Sequence, residues 1–408
     1  MMRILYTSAI ILFGLAARLA SPFSPKARLW TSGRRKSLGK ISGLQSDGQQ
    51  WIWIHAASLG EFEQGRPLIE AISAAKPHYR ILLTFFSPSG YEIRKEYPLA
   101  DMVLYLPEDK PSKIEEFCRQ FNFKAVFFVK YEFWYNLLDY LHRKQIPIYF
   151  FSVRFRPGQH FFRWYGSWFL KHLRYVTHLF VQDQTSMDLL RSSGISQCSI
   201  AGDTRFDRVA QLARQSDRLT DLEHFIGNSP LFVAGSTWPS DEKLLLPLLS
   251  VLPENFKIVI APHDISHGHV ENILRNCSQS SVRYSLLKTN PNARVLVIDN
   301  IGMLSRIYRY ARFAYIGGGF GKAIHNIQEP IAWGCPVIFG PKHAKFTEAT
   351  DLAGLGGAFA VNNGMEMEQA IRELSTNDEL RNAASAKCIE YLERNLGATK
   401  TIMDKLDI

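Results

Sequence analysis

From residue 51 onward, short apolar runs alternate with stretches in which apolar residues recur every three or four positions. Runs rich in β-branched and aromatic residues predict strands, and the amphipathic stretches predict helices. In the first half the predicted strands cover 51–55, 80–85, 102–106, 125–129, 147–151 and 178–181. The predicted helices lie near 61–75, 112–121, 134–144 and 184–193. Apolar strands separated by helices are typical of a parallel sheet that is covered on both faces.

The second half repeats this pattern after a polar, charge-rich segment over 203–229. Its predicted strands cover 230–235, 256–261, 294–298, 312–316, 336–339 and 357–361. A chain of 408 residues is too long for one core and suits two domains. The pattern therefore predicts an α/β protein of GT-B architecture, with two doubly wound, Rossmann-like domains over 31–210 and 211–385. Ligands are expected at the carboxyl ends of the strands, in a cleft between the domains. A last helical stretch, 386–408, is expected to pack back on the first domain.

The N-terminus is apolar over 4–17 and basic directly afterwards. The basic residues are Lys26, Arg28, Arg34, Arg35, Lys36 and Lys40. The apolar run is shorter than the roughly 20 residues that cross a bilayer upright, and the basic flank favours a cytoplasmic location for the rest of the chain. Anionic headgroups attract such a flank. We therefore expect residues 1–30 to form a membrane anchor or an interfacial helix. The alternative is a buried N-terminal helix followed by a solvated basic loop.

The composition is that of an ordinary folded protein with a basic balance. The chain is 46% hydrophobic and carries a net charge of +10, which indicates an acidic partner: nucleic acid, anionic lipid or a phosphorylated substrate. The sequence lacks the clustered aromatic and basic repeats of nucleic-acid-binding proteins, so no nucleic-acid partner is expected. The five cysteines are scattered without a CxxC pair, which indicates neither a disulfide framework nor a structural zinc site.

Two glutamates follow predicted strands of the first half. Segment 55–62 (HAASLGEF) places Glu61 in the first turn of a helix, and segment 130–134 (KYEFW) places Glu132 after another strand. Because carboxyl ends of parallel strands meet at one edge, we expect both carboxylates to converge there. Their repulsion would raise one pKa and a helix N-terminus would lower it, which suits a general base. The alternatives are a helix-capping role for Glu61 and a solvated loop position for Glu132.

Other candidate chemistry lies at the end of the first half and in the second. Segment 202–207 (GDTRFD) carries Arg205, which could clamp a carboxylate or phosphate, although Gly-Asp is also a common turn. Segments 315–320 (YIGGGF) and 325–330 (HNIQEP) predict a strand that runs into three glycines whose N–H groups can approach a phosphate. A helix would then open with Asn326 and carry Glu329 one turn on. The spacing matches neither GxGxxG nor the Walker pattern.

Together these segments resemble the 3-deoxy-D-manno-octulosonic acid (Kdo) transferases of lipopolysaccharide synthesis. The likeness covers nearly the whole chain and includes 235–237 (GST), 241–243 (DEK) and 340–341 (GP). It implies that Glu61 is the proton acceptor of a Ser-x-Gly-Glu motif and that Glu132 and Arg205 stabilise the transition state. Arg205 stands where lysine is usual in the family, so the charge is kept while its reach and geometry differ.

The resemblance also implies that the second domain binds the CMP part of the donor. The matching positions are Pro262, His263, Ile301, Gly302, Met303, Asn326, Ile327, Gln328 and Glu329. The usual Pro-Arg-His appears as 262–264 (PHD), so an imidazole replaces the guanidinium that would meet the phosphate. The resemblance implies no metal and no cofactor. A rival interpretation is a metal site formed by His263, Asp264, His267 and His269.

The implied reaction transfers Kdo from CMP-Kdo to an anionic lipid A precursor, lipid IVA, with inversion. It would occur at the membrane surface, on the cytoplasmic side of the inner membrane. Two other hypotheses stay open: a UDP-sugar transferase or UDP-N-acetylglucosamine epimerase on the same scaffold, and a basic peripheral membrane protein without activity.

Overall fold

Two parallel sheets of seven strands each organise the chain, and each sheet belongs to a separate unit. The computed structural model describes residues 1–42, 48–215 and 217–408. The N-terminal unit comprises Met1–Arg208 and Leu396–Ile408, and the C-terminal unit comprises Val209–Asn395. The two parallel α/β domains predicted from the alternating pattern are therefore present.

Two helices open the N-terminal unit, α1 (Met2–Ala20) and α2 (Pro25–Ile41). At Gly33, α2 lies directly against the ring of Tyr105, because a Cβ at this glycine would come within 2.2 Å of the tyrosine ring. Only glycine permits that approach, so the position of α2 on the sheet depends on a residue without a side chain.

Polar side chains fasten one face of α1 to the N-terminal unit. Tyr6 Oη donates to Asp109 Oδ2 at 2.6 Å, and Arg18 pairs with Glu108 at 2.8 Å. Asp109 is buried, and burial raises its pKa to about 6. The other face exposes apolar side chains, which are Ile4, Leu5, Leu12, Phe13, Leu15 and Leu19. The helix has 19 residues and is by length and composition able to cross a membrane. It is thus longer than the apolar run over 4–17 predicted.

The N-terminal sheet has the strand order β3-β2-β1-β4-β5-β6-β7, with parallel pairing throughout. Its strands are β1 (Gln50–Ala56), β2 (Arg80–Phe85), β3 (Met102–Tyr105), β4 (Asn122–Val129), β5 (Ile148–Val153), β6 (His178–Val181) and β7 (Cys198–Ile200). The helices of this stretch are α3 (Leu59–Ala75), α4 (Pro88–Arg94), α5 (Pro111–Cys118), α6 (Tyr135–Arg143), α7 (Ser167–Leu173), α8 (Gln184–Ser192) and α9 (Thr204–Gln215). Strand order reverses between β1 and β4, and such switch points are where doubly wound sheets bind ligands.

The C-terminal sheet has the order β10-β11-β9-β8-β12-β13-β14, again with parallel pairing, and reverses between β8 and β12. Its strands are β8 (Leu231–Thr237), β9 (Lys257–Pro262), β10 (Ser281–Arg283), β11 (Val295–Val297), β12 (Ala311–Ile316), β13 (Val337–Phe339) and β14 (Ala358–Ala360). The remaining helices are α10 (Thr220–Ile226), α11 (Pro239–Leu248), α12 (His267–Asn276), α13 (Leu304–Ile307), α14 (Gln328–Ile331), α15 (Thr347–Leu355), α16 (Gly364–Thr376), α17 (Asp378–Asn395) and α18 (Ala398–Met403).

Both faces of each sheet are covered, as the continuous apolar strands predicted. In the N-terminal unit, Trp53 and Phe128 belong to the core on one face of the sheet, while Ile54 and Phe127 belong to the core on the other. Adjacent residues of one strand point to opposite faces, so a strand buried on both sides needs an uninterrupted apolar run.

The boundary between the units falls within α9, after Arg208, inside the charge-rich segment predicted as the break. Ser216, which belongs to that segment, lies outside the described residues. At the C-terminus, α17 continues to Asn395 and packs on α14, α15 and α16. The chain returns to the N-terminal unit at Leu396, later than the predicted 386, and α18 packs on α3. Gly397, with φ +96°, separates the two helices.

The strands predicted from the sequence are present within a few residues, whereas β7 and β10 were not predicted. Both are three-residue strands at the sheet edges. Their sequences, CSI and SVR, include polar residues and form no apolar run, so pairing with a single neighbour decides their conformation.

Candidate functional site

A turn at Ser58 places Glu61 at the carboxyl end of β1. β1 ends at Ala56, and Ser58 is the extended residue before α3. The Ser58 hydroxyl donates to Glu61 Oε2 at 3.0 Å. Among the described residues, this is the hydrogen bond that the Glu61 carboxylate accepts. Ser58 is the N-cap residue of α3, and its side chain accepts no hydrogen bond from the backbone of the helix. Glu61 lies in the first turn of α3, where the helix dipole favours a carboxylate, and it bonds the side chain of the N-cap residue.

Glu132 lies three residues beyond the end of β4, the neighbour of β1 in the sheet. Its Oε2 is 3.3 Å from His55 Nε2 and accepts a hydrogen bond from Trp134 Nε1 at 3.0 Å. The side chain is only 14% exposed, and that of His55 is fully buried. Glu132 is thus a held carboxylate rather than a solvated loop residue.

A chain of buried hydrogen bonds continues behind His55. Its Nδ1 lies 2.8 Å from Thr84 Oγ1, which in turn accepts from Trp53 Nε1 at 2.8 Å. Nδ1 also lies 3.1 Å from the Thr84 backbone oxygen, so both oxygens of Thr84 meet this nitrogen, while Nε2 faces Glu132. The network therefore holds the imidazole between Thr84 of β2 and the Glu132 carboxylate.

The two carboxylates converge as the strand positions predicted. The pKa of Glu61 is raised, first because the group is buried and second because the charge of Glu132 repels it. The Ser58 hydroxyl and His55 act in the opposite direction. A glutamate with a raised pKa is a stronger base once ionised, and this is the tuning that proton abstraction from a hydroxyl needs.

Arg205 lies in the first turn of α9. Asp203 Oδ1 accepts from the backbone N–H of Arg205 at 2.9 Å, and the other carboxylate oxygen accepts from Gln182 at 3.2 Å. In the part of the chain that the structure describes, no ion pair or hydrogen bond joins the Arg205 guanidinium to Glu61 or Glu132. The structure therefore leaves the side chain available for an anion without showing which one.

Non-glycine residues with left-handed backbone occur at both switch points. Lys130, with φ +60°, directly follows β4, and Ser236, with φ +53°, lies near the end of β8. Side chains other than glycine rarely adopt this conformation, and such strain concentrates at functional sites. Each sheet thus has one strained residue where the strand order reverses.

In the C-terminal unit the predicted donor-binding residues gather at one edge of the sheet. Pro262 ends β9, Gly302 lies in the loop that follows β11, and Asn326 follows the glycine-rich turn after β12. These strands and β8 are consecutive neighbours in the sheet. Because all of them are parallel, their carboxyl ends meet at the same edge.

Two of the three glycines after β12 do not offer their N–H groups as predicted. Gly317 N donates to Gly235 O at 2.9 Å, and Gly318 N donates to the buried carboxylate of Asp241 at 2.8 Å. The glycines are required by close packing instead. A Cβ at Gly317 would come within 2.2 Å of Ser236 O, and one at Gly319 within 2.6 Å of the Gly340 backbone. The prediction of a phosphate cradle is wrong for the first two of these N–H groups.

His263, the residue at the usual arginine position, stacks with two other rings. Its centroid lies 4.5 Å from the Trp238 ring and 4.6 Å from the His325 ring. Trp238 Nε1 donates to His325 Nε2 at 2.8 Å, which requires an unprotonated Nε2. Burial, and then the nearby His263, lower the pKa of His325. The His263 ring thus stacks on the nearly parallel rings of Trp238 and His325.

Asn326 and Glu329 are joined to each other. Asn326 Nδ2 lies 3.3 Å from Glu329 Oε1, and its Oδ1 accepts from Gln328 N at 3.0 Å. The helix α14 begins at Gln328 rather than at Asn326, because the asparagine side chain replaces the first turn of backbone bonding. Glu329 remains half-buried within the first turn.

The proposed metal ligands serve other partners. Asp264 accepts from Ser266 at 2.9 Å, and His269 lies 3.0 Å from the buried Glu242. Over residues 1–42, 48–215 and 217–408, no group of three or more His, Cys, Asp or Glu side chains is placed to hold a metal ion.

Sequence reasoning missed the residues that support the site. Thr84 and Trp53 are ordinary strand residues in the sequence, and only the β1–β2 pairing brings Thr84 beside His55 and Trp53 of β1. Trp238 and His325 had a usable signal, since they adjoin the segments 235–237 and 326–329. The contact between them required the β8–β12 pairing.

Comparison with known proteins finds relatives along the chain. The model of a family described as 3-deoxy-D-manno-octulosonic-acid transferase (kdotransferase) matches residues 31–208. The chain is similar to the 3-deoxy-D-manno-octulosonic acid transferase of Haemophilus influenzae, with 28% identity over 100% of this chain and 98% of the relative. It is also similar to the enzyme of that name from Aquifex aeolicus, with 26% identity over 84% of this chain and 92% of the relative.

Solved structures share the fold. The UDP-GlcNAc 2-epimerase from Neisseria meningitidis superposes with a TM-score of 0.64 over 87% of this chain and 99% of the epimerase, at 13% identity. At that identity the match shows the two-domain GT-B fold and nothing about the substrate. The matches in sequence along the chain, together with this fold, show a glycosyltransferase that is similar to the Kdo transferases.

Proposed function

We propose that this protein transfers Kdo from CMP-Kdo to a hydroxyl of a lipid A precursor, lipid IVA, in lipopolysaccharide biosynthesis, with inversion at the anomeric carbon. The observation that carries the mechanism is the Glu61–Glu132 pair at the β1–β4 switch point, with the pKa of Glu61 raised by burial and by Glu132. Glu61 removes the proton from the attacking hydroxyl, and a single displacement then inverts the configuration.

Glu132 and Arg205 have supporting roles in this proposal. The Glu132 charge, held by His55 and Trp134, keeps Glu61 basic. Arg205, whose side chain meets no carboxylate in the described ranges, offsets negative charge on the departing phosphate or on the donor carboxylate. A leaving phosphate monoester needs less help than a diphosphate, so no metal ion is required.

The C-terminal unit binds the CMP part of the donor. Glu329, oriented by Asn326, is suited to accept hydrogen bonds from the ribose hydroxyls. His263 stands at the phosphate position, where its ring is supported by Trp238 and His325. Ile301, Gly302 and Met303 form the adjoining loop, of which Ile301 is 88% exposed.

The acceptor reaches the enzyme at the cytoplasmic face of the inner membrane. The exposed apolar face of α1 and the basic residues of α2 suit an interfacial position, because the polar face of α1 is already bound to the N-terminal unit.

Mass spectrometry of the product formed from CMP-Kdo and a tetra-acylated precursor tests the proposal directly. A mass gain of one or more Kdo units supports it, and the absence of any product contradicts it. Thermal protection by CMP but not by UDP distinguishes this donor from the UDP-sugars of enzymes with the same fold.

A further inference from the structure

A basic groove of about 500 Å³ lies between α1, α2 and the segment that joins β3 to α5. Its charged lining residues are Arg18, Arg28, Arg34, Arg35, Lys113 and Glu108. The one carboxylate, Glu108, is already paired with Arg18 and with Lys110. The groove therefore keeps an excess of positive charge.

Arg34 is the buried cation of this groove. The residue is 6% exposed, and its guanidinium donates to the backbone oxygens of Trp30 and Phe86 at 3.3 and 3.2 Å. Its Cζ lies 3.7 Å from the centroid of the Trp30 ring. Within the described residues it forms no ion pair, and burial lowers its pKa to about 9.

Two buried donors in the groove wall have no hydrogen-bond partner, namely Arg34 Nε and Trp30 Nε1. Buried polar groups are normally satisfied, and an unpaired buried charge is strongly unfavourable. Arg34 stays buried despite this cost, and Arg34 and Trp30 each have an unsatisfied N–H group. Together with the other arginines of the groove, they form a wall suited to an anion.

The groove adjoins the carboxylate pair. Phe86, whose carbonyl accepts from Arg34, stacks on Trp134 with 5.0 Å between ring centroids. Trp134 in turn donates to Glu132. One layer of two aromatic rings therefore separates the guanidinium of Arg34 from the carboxylate that tunes Glu61.

The groove also adjoins the apolar face of α1. Arg18 lines the groove, while Leu15 and Leu19 on the same helix are 46% and 76% exposed, and Phe23 after the helix is 89% exposed. An anionic group in the groove would thus have an apolar surface beside it. That combination fits an amphiphile with a charged head and acyl chains.

We infer that this groove binds a phosphate group on the head of the acylated acceptor and thereby places the acceptor hydroxyl beside Glu61. The inference rests on the proposed transfer to a lipid acceptor. A phosphate monoester offers several acceptor oxygens to the forked guanidinium of arginine.

The test uses Arg35→Glu, with Lys36→Glu as the matched control. Both residues are exposed neighbours on α2, but only Arg35 lines the groove. The intact protein is mixed with phosphatidylcholine vesicles that carry phosphatidic acid, a phosphate monoester, or phosphatidylglycerol, a diester, at matched surface charge. We expect the wild type to prefer phosphatidic acid, Arg35→Glu to reduce that preference about tenfold, and Lys36→Glu to weaken both attachments alike.

Equal losses of preference in the two variants would overturn the inference, because the effect would then be general electrostatic attraction. It would also be overturned if free inorganic phosphate protected the protein in a thermal shift while phosphatidic acid vesicles gave no preference over phosphatidylglycerol. These binding results do not depend on turnover. Failure of Kdo transfer by the wild type would therefore contradict the proposed function. The vesicle-binding results would still decide whether the groove binds a phosphate group.

A kinetic arm separates acceptor placement from membrane attachment. Arg35→Glu should raise the acceptor KM about tenfold and leave the donor KM unchanged, whereas an acceptor without phosphate should show no difference between variant and wild type. Arg34→Met, which removes the buried charge and keeps an apolar stem, should give the same pattern with a cooperative melt retained. An unchanged acceptor KM in both folded variants would contradict the inference.

Discussion

The imidazole of His55 lies 3.3 Å from the carboxylate of Glu132, with no exposed surface of its own. The two residues come from neighbouring parallel strands, β1 and β4, at the point where the strand order of the sheet reverses. A buried imidazole in contact with a carboxylate fixes the position of that group. The contact between His55 and Glu132 therefore holds Glu132 where the strand order reverses, and there its charge raises the pKa of Glu61.

Replacement of the base should abolish most of the turnover. We expect Glu61→Gln to lower kcat by about two to four orders of magnitude, because a neutral amide cannot accept the proton. The fold and the affinity for CMP should persist, since the Glu61 carboxylate accepts only from Ser58 among the described residues. Turnover assays with a CMP titration check this, and a near wild-type rate in the folded variant would assign the base elsewhere.

The pH profile should report the Glu132 charge. Because Glu61 must be ionised to act, kcat/KM falls as the pH drops through the pKa of Glu61. That pKa is raised first by burial and second by Glu132, so Glu132→Gln should move the acid limb to lower pH without removing the shift due to burial. Profiles of kcat/KM for both proteins give the comparison. A limb that stays in place in the variant means that the two carboxylates do not interact in solution.

The buried relay behind His55 should contribute to stability. Thr84→Val keeps the shape of the side chain but leaves Trp53 Nε1 and His55 Nδ1 without the hydroxyl, which should lower the free energy of unfolding by about 1–3 kcal/mol. Thr84→Ser keeps the hydroxyl and should be much closer to the wild type. Denaturant unfolding of both variants measures the difference, and a Thr84→Val variant as stable as the wild type would show that these hydrogen bonds do not contribute to stability.

Donor binding should depend on Glu329. We expect Glu329→Ala to weaken CMP affinity by about 1–3 kcal/mol, the usual effect of removing one partner from a buried hydrogen-bonded site. Calorimetry with CMP measures the affinity, and a melting curve measures the stability. A variant that melts earlier but binds CMP as before would show that Glu329 serves α14 alone.

The exposed face of α1 should control membrane attachment without supporting the fold. Leu12→Asp combined with Leu19→Asp should leave the melting temperature unchanged, because both side chains face solvent at 65% and 76% exposure. Attachment to anionic vesicles should fall, and co-sedimentation measures it. The control, Tyr6→Phe, removes the bond to Asp109 and should lower stability while attachment persists. The reverse pattern would make α1 a purely structural helix.

The sequence by itself determined the architecture, because strands buried on both faces require apolar runs that leave an unmistakable period along the chain. It also placed Glu61 and Glu132 after strands of the first sheet and Asn326 after a strand of the second, because residues that follow the strands of one parallel sheet share an edge of that sheet. Only the tertiary structure decided what those residues contact. Thr84 reaches His55 because β1 and β2 pair in one register, and no local pattern encodes that register.

The three glycines after β12 are a second case in which the sequence left the contacts of a segment undetermined. Glycines after a strand are compatible with a phosphate cradle and with close backbone packing, and the sequence does not distinguish the two. Asp241, on α11 of the same unit, takes the N–H of Gly318, and the Gly340 backbone fills the space beside Gly319. Long-range contacts of this kind depend on where the chain brings distant segments together, which is a property of the packed structure and not of neighbouring residues.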